Sequence, residues 1–225
     1  MRIAEMFHSI QGEGEHAGTP SVFVRTTGCN LRCWFCDTPY TSWKPEGAQR
    51  RWQDVLDDVL RHNCEHVVLT GGEPLLQPEI VPLTHALADA RRFVTIETAG
   101  TVYRPVHADL MSISPKRPNS APRGDRWETR HESLRENNAL VRRLLAEYAC
   151  QLKYVVDRPE DLDDVDRHVR SLPGLDPSRV FLMPQGIELA ELREKLSWIG
   201  PAAEERGYRT SPRLHIELFG NVRGT

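Results

Sequence analysis

The sequence predicts an α/β protein built on parallel strands, and two observations carry that prediction. Short β-branched or aliphatic runs alternate about six times with longer stretches of helical period, as repeated strand–helix–strand units require. The polar residues with chemical potential fall directly after those runs, where parallel α/β sheets and barrels carry their ligands. Such alternation fits a doubly wound sheet or a complete or partial barrel, with right-handed crossovers.

The first run, 21-SVFVRTT-27, leads into the loop 28-GCNLRCWFCDTPY-40. Over 52-WQDVLDDVLR-61, Trp52, Val55, Leu56, Val59 and Leu60 recur at the spacing of an amphipathic helix. The run 66-HVVLT-70 precedes Gly71-Gly72-Glu73-Pro74, and helical period returns over 78–90. The run 93-FVTIET-98 closes on Glu97 and Thr98, and 109-DLMSIS-114 closes on Ser114, Pro115 and Lys116. Helical periods at 134–149, 159–172 and 188–199 bracket 152-LKYVVD-157 and 179-RVFLMP-184, and Gln185 follows the latter. The Pro- and Arg-rich stretch 115–131 has neither period, and reads either as a solvated connection or as a lid over the strand ends. No linker or internal repeat divides the 225 residues, so one domain spanning 1–225 is expected.

Composition narrows the classes of function. With 39% hydrophobic and 27% charged residues and a mean hydropathy of -0.50, the chain is an ordinary globular sequence. A net charge of -3 supplies no basic field for nucleic acid or anionic lipid. The N-terminal stretch is broken by Glu5, His8 and Glu13, and no run reaches membrane-spanning length, so a cytoplasmic protein is expected. Five cysteines, an odd number, argue for metal or redox chemistry at the clustered ones rather than a disulfide frame. Cys64 and Cys150 stand alone beside apolar runs and read as small buried hydrophobes.

Cys29, Cys33 and Cys36 have the spacing C-x3-C-x2-C. Structural zinc normally takes four protein ligands, which His8 or Cys64 would have to complete. A 4Fe-4S cluster held by three thiolates instead keeps one iron free for a small molecule. The cysteine spacing alone leaves both open. GGEP, read alone, is a turn with Pro at a helix start.

The cysteine loop, with Phe35 directly before the third cysteine, and 71-GGEP-74 together resemble the radical S-adenosylmethionine superfamily. The stretches 5-EMFHSIQGEGEHAGTPSVFVRTTGCNLRCWFCDTPY-40, 96-IETAGT-101, 112-SISPK-116, 151-QLKYVV-156, 182-LMPQG-186 and 215-HIELFGNVRGT-225 resemble, within it, the 7-carboxy-7-deazaguanine synthase family. That resemblance implies a partial (β/α)6 barrel with an N-terminal substrate-binding segment and a C-terminal closing segment. It implies a lyase of queuosine and deazapurine biosynthesis that converts 6-carboxy-5,6,7,8-tetrahydropterin to 7-carboxy-7-deazaguanine and releases ammonia. A 5'-deoxyadenosyl radical would take hydrogen from C6 of the pterin, and S-adenosylmethionine would be regenerated.

The resemblance also implies roles for particular residues. Cys29, Cys33 and Cys36 would hold the 4Fe-4S cluster and Thr38 a magnesium ion, which prefers oxygen ligands. S-adenosylmethionine would lie against Phe35, Asp37, Gly72, Glu73, Ser114, Pro115, Lys116, Gln151, Leu152, Lys153 and Tyr154. Glu73 can pair with an ammonium, and glycines admit close backbone approach. Substrate contacts would be Ile10, Gln11, Gly12, Glu13, Arg25, Thr70 and His215, with Glu97 near the reacting carbon and Thr225 offering a carboxylate. The plainer readings are a turn hydroxyl for Thr38, strand-end polarity for Ser114 and Lys116, core packing for Leu152 and Tyr154, an edge-strand salt bridge for Arg25, a core histidine for His215 and a frayed tail for Thr225. A flavodoxin or ferredoxin would supply the electron, docking on a basic rim that includes Arg117, Arg123 and Arg126, and the family suggests a homodimer. The competing readings are a glycyl-radical activase and a zinc-stabilised binding module.

Overall fold

The computed structural model describes residues 1–225. Its strands are β1 (Arg2–Ile10), β2 (Pro20–Thr26), β3 (Ala48–Gln49), β4 (His66–Gly71), β5 (Phe93–Thr98), β6 (Leu110–Ile113), β7 (Cys150–Val156), β8 (Val180–Pro184) and β9 (Arg209–Thr210). Its helices are α1 (Pro39–Ser42), α2 (Trp52–Leu60), α3 (Ile80–Asp89), α4 (Glu128–Arg135), α5 (Asn138–Glu147), α6 (Asp161–Arg170), α7 (Leu189–Glu205) and α8 (Leu214–Phe219). All strands join one sheet in the order β3-β1-β2-β4-β5-β6-β7-β8-β9. From β2 to β9 every neighbouring pair is parallel, whereas β1 runs antiparallel to β2 and β3. No pairing joins β3 to β9, so the sheet is open.

The six runs read from the sequence are β2, β4, β5, β6, β7 and β8. Strands covered on both faces bury almost every side chain, and β6 and β8 are buried throughout. Thirty-one buried residues, including Cys64 and Cys150, form the main core cluster. Each fully buried Val, Leu or Ile contributes about 1.5–3 kcal/mol, so the frame does not depend on any single ion pair of the site. No helix is long and apolar enough to cross a membrane.

The structure corrects four expectations. β1 has no counterpart in the sequence reading, because Glu5 and His8 break its apolar pattern, and most of its residues are only partly buried. The helical stretch 134–149 is two helices, because the Asn137 side chain accepts from Leu140 N at 3.1 Å and starts α5 afresh. Helix α7 runs past Gly200 and through Pro201 to Glu205. Proline deletes one backbone donor, but the buried pair Ile199 and Ala203 holds that turn against the core. The fourth concerns 115–131, which contains a 3-10 turn at Pro118–Ser120 and the start of α4, with Ser120 and Ala121 buried. That segment braces the cysteine loop from behind. Ser120 O accepts from Trp34 N at 3.2 Å, Asn119 O from Trp34 Nε1 at 2.7 Å, and His131 Nδ1 from Arg32 N at 3.1 Å.

Candidate active site

The carboxyl ends of the parallel strands open into one cavity of about 450 Å³. All three clustered thiols line it, together with Phe35, Asp37 and Thr38 of the same loop. The loop is positioned largely by backbone contacts. Gly28 N donates to Thr41 O at 2.8 Å and Glu73 N to Gly28 O at 2.9 Å. Gly71 has φ of +132°, and a Cβ there would lie 2.1 Å from Thr26 O; a Cβ on Gly72 would lie 2.2 Å from Gly28 O. The paired glycines therefore allow close approach between two strand ends of the chain itself.

Glu73 is fully buried and absent from the cavity wall. Its carboxylate accepts from Thr98 Oγ1 at 2.8 and 2.9 Å, from Ala99 N at 2.9 Å and from Leu75 N at 3.2 Å. Burial raises its carboxyl above the usual range despite those donors. In this arrangement Glu73 ties the GGEP turn to the end of β5.

Burial pushes the Cys29 and Cys33 thiols up to about 12, with Leu31 N donating to Cys29 Sγ at 3.4 Å. Buried thiols of this kind ionise only when a cation compensates them, as an iron–sulfur core does. No group of three or more His, Cys, Asp or Glu side chains is arranged to hold a single metal ion. Three thiols facing one cavity suit a 4Fe-4S cluster that keeps one iron free for a small molecule.

Another part of the wall is built from charged side chains. Lys153 Nζ donates to Glu13 Oε2 at 2.8 Å and to Glu97 Oε1 at 3.2 Å. Glu97 also accepts from Thr70 Oγ1 at 2.8 Å and from Gln11 Nε2 at 3.3 Å. Burial alone would raise the Glu13 carboxyl, but Lys153, Arg213 and His215 outweigh it and hold the group well below the carboxylate range. Lys153 shows the mirror image: burial disfavours its charge, and Glu13 and Glu97 reverse that and raise it. At the edge, Glu5 accepts from Arg25 Nε at 2.7 Å, Tyr40 OH at 2.7 Å and Arg223 Nε at 3.2 Å.

The C-terminal segment closes this wall. Leu214 N donates to Gly12 O at 2.9 Å, and a Cβ on Gly12 would lie 2.0 Å from His215 Nδ1, so glycine there makes room for the imidazole. Burial lowers the His215 pKa and favours the neutral ring. Thr225 also lines the cavity.

The cavity thus gathers Cys29, Cys33, Cys36, Thr38, Phe35, Asp37, Gly72, Ser114, Lys116 and Lys153 with Ile10, Gln11, Gly12, Glu13, Arg25, Thr70, Glu97, His215 and Thr225. Others fall elsewhere. Leu152 and Tyr154 belong to the core, because alternate residues of β7 face opposite sides of the sheet, and Tyr154 OH bonds His168 Nδ1 at 2.7 Å. Pro115 is buried outside the wall, and Gln151 Nε2 donates to Ser112 Oγ at 2.9 Å while its Oε1 accepts from Glu15 N at 2.8 Å. Arg25 does not sit on an edge strand, since β2 lies between β1 and β4. Arg117 is buried and paired with Asp164 at 2.6 Å, so it does not belong to an exposed rim.

Arg213, Glu5, Tyr40 and Arg223 also line the cavity, and the sequence reading assigns none of them a role in the site. Arg213 pairs with Asp37 and lies 3.4 Å from Glu13, yet no short-range spacing in the sequence points to it. Its one signal is position, two residues before His215.

The model of the Radical SAM superfamily matches residues 23–172. Fold and thiol loop together thus define an enzyme of that class, which implies a 4Fe-4S cluster and S-adenosylmethionine. The 7-carboxy-7-deazaguanine synthase of Rhodopirellula baltica is 47% identical over 99% of this chain and 88% of its own length. That of Halobacterium salinarum is 42% identical over 98% of this chain and 91% of its own. The crystal structure of QueE from Escherichia coli superposes with a TM-score of 0.72 at 26% identity, covering 93% of this chain and 92% of that one. The chain belongs to the 7-carboxy-7-deazaguanine synthase family. The glycyl-radical activase and the zinc module give way to that assignment.

Proposed function

We propose that the protein acts on 6-carboxy-5,6,7,8-tetrahydropterin and releases ammonia as it forms 7-carboxy-7-deazaguanine. The observation that carries this reading is the hydrogen-bonded set Gln11, Glu13, Thr70, Glu97 and Lys153 in the same cavity as three thiols. A pterin edge presents mixed donors and acceptors, which amide and carboxylate side chains match, and Arg25 offers a fixed fork to a carboxylate or ring oxygen. Cys29, Cys33 and Cys36 would hold the cluster that, with S-adenosylmethionine, supplies the radical chemistry. Phe35, Asp37, Gly72, Ser114 and Lys116 line the cofactor's share of the cavity in this reading. Glu97, with Lys153 as counter-ion, is the group we assign to the proton transfers that ammonia loss requires. The residues' task is orientation: the reacting hydrogen must face the cofactor, and other hydrogen donors must be kept away.

Magnesium would be held by Thr38 together with substrate and water oxygens, because no protein carboxylate set closes a single-ion site. Arg123 and Arg126, both exposed, would receive an acidic flavodoxin or ferredoxin. A homodimer is the proposed assembly, the cytoplasm the proposed location and a deazapurine pathway the proposed destination of the product; sedimentation at a dimer mass tests the first. The decisive assay is anaerobic, with iron-reconstituted protein, S-adenosylmethionine, reductant, magnesium and 6-carboxytetrahydropterin, read by mass spectrometry. Formation of 7-carboxy-7-deazaguanine is expected; 5'-deoxyadenosine without it would overturn the substrate assignment.

A further inference from the structure

Three chain segments far apart in sequence meet at one guanidinium. Arg213 donates from Nη2 to Asp37 in the cysteine loop and from Nη1 to Gly186 O, after β8, at 2.6 Å. Its Nε faces Glu13 Oε1, in the loop after β1, at 3.4 Å. Arg213 is only 7% exposed, a burial that a cation tolerates when its partners surround it.

The three contacts are unequal. The Gly186 contact is anchored from behind, because Lys195 Nζ donates to Gln185 O at 2.8 Å, to Gln185 Oε1 at 2.9 Å, to Asp157 at 2.7 Å and to Glu191 at 2.6 Å. The Glu13 contact is loose: it is within ion-pair distance, yet Arg213 Nε remains a buried donor with no aligned acceptor. Glu13 is held firmly at its other oxygen by Lys153, so a small rotation about that bond would align Oε1 with Nε.

We propose that Arg213 is a positioning residue that couples the two ligand sites, so that pterin and S-adenosylmethionine each bind more tightly when the other is present. The proposal rests on the function given above, in which Glu13 meets the pterin and Asp37 the cofactor. A pterin that fixes the Glu13 carboxylate completes the third bond of the guanidinium and stills Asp37, and the cofactor does the converse. The ordering cost is then met by whichever ligand arrives first, which is the origin of positive cooperativity without a large movement. Coupling of this kind is reciprocal, with the same factor in both directions. A lysine at position 213 keeps the charge but lacks the planar fork that spans two carboxylates and a carbonyl.

The test uses the cluster-loaded protein with magnesium and no reductant. Equilibrium dialysis gives the dissociation constant of S-adenosylmethionine with and without saturating 6-carboxytetrahydropterin, and that of the pterin with and without the cofactor. In the wild type both constants should fall by the same factor, on the order of tenfold. In Arg213→Lys each ligand alone should still bind, and the factor should drop to about one. Asp37→Asn should lose the coupling equally, and the double variant should lose nothing more. A residue that merely stabilised the fold would lower the melting temperature and leave the factor intact. A wild-type factor of one, or an unchanged factor in Arg213→Lys, overturns the proposal and leaves the substrate reading standing. A wild type that binds no pterin defeats the substrate reading and the coupling together.

Discussion

The two ends of the cavity are held by different means. At the thiol end, positions are set by backbone contacts: Gly71 and Gly72 lie against Thr26 and Gly28, and the 118–131 segment bonds Arg32 and Trp34 from behind. At the polar end, positions are set by ion pairs between residues 13, 97, 153 and 213, and Arg213 also reaches Asp37 of the cysteine loop. Backbone packing is insensitive to pH, so at this end only the His131 brace on Arg32 N titrates, and the packing tolerates little change of shape. Ion pairs tolerate shape and depend on charge. The thiol end is therefore fixed before any ligand comes, whereas the polar end keeps the capacity to respond.

The largest expected effect is the loss of a thiol. Cys33→Ala should leave reconstituted protein without the visible absorption of the cluster and bring product below detection; retained absorption would show that the thiol end does not need this ligand. Next comes Lys153→Met, which leaves Glu13 and Glu97 without their buried cation at a cost of about 3–5 kcal/mol in thermal or denaturant unfolding. Glu13 has a folded pKa below its ordinary 4.5, so its stabilising share is present above that value and lost as pH falls beneath it. The gap between wild type and Lys153→Met should accordingly narrow below about pH 4.5. A gap of constant size would mean that packing, and not charge, holds the polar end.

Gly72→Ala probes the other end by shape. The added Cβ meets backbone at 2.2 Å, so the cysteine loop must shift, with about 1–3 kcal/mol lost and less iron bound per chain. Unchanged iron content and melting temperature would refute the backbone account. A smaller effect comes from His131, whose pKa burial lowers from 6.5 to about 4. The unfolded chain takes up that proton near 6.5 and the folded chain only near 4, so stability drains away as pH falls through this window. His131→Asn should flatten that slope, although His168, also lowered to about 4, preserves part of it. The smallest effect belongs to the surface. Reversing Arg123 and Arg126 should slow turnover severalfold with flavodoxin and leave turnover with dithionite unchanged; equal slowing with both reductants would refute docking there.

The contrast between the ends also explains what the sequence reveals. The six parallel strands and the thiol loop are legible because their signals are contiguous: apolar runs, three cysteines in eight positions, two glycines before Glu73. Lys153 and Tyr154 show where contiguity misleads. They are adjacent in the chain, but the period of two sends the lysine to the cavity and the tyrosine to the core. Arg213 shows the other limit, because its partners lie at 13, 37 and 186, and no local pattern encodes separations of that length. β1 is hidden because Glu5, which breaks its pattern, faces the cavity to accept from Arg25, directly opposite it on β2.

The wall that joins Gly12 and Gly14 to residues 211–215 has a consequence for the synthesis of the molecule. Gly14 N donates to Ser211 Oγ across 197 residues of chain. At ordinary elongation rates of about 5–20 residues per second, that partner is made roughly 10–40 s after Gly14 itself. The cysteine loop is translated early and the wall facing it late. A nascent chain thus presents its thiols through an open side while the ribosome is still at work, and the substrate chamber is the last part to be shut.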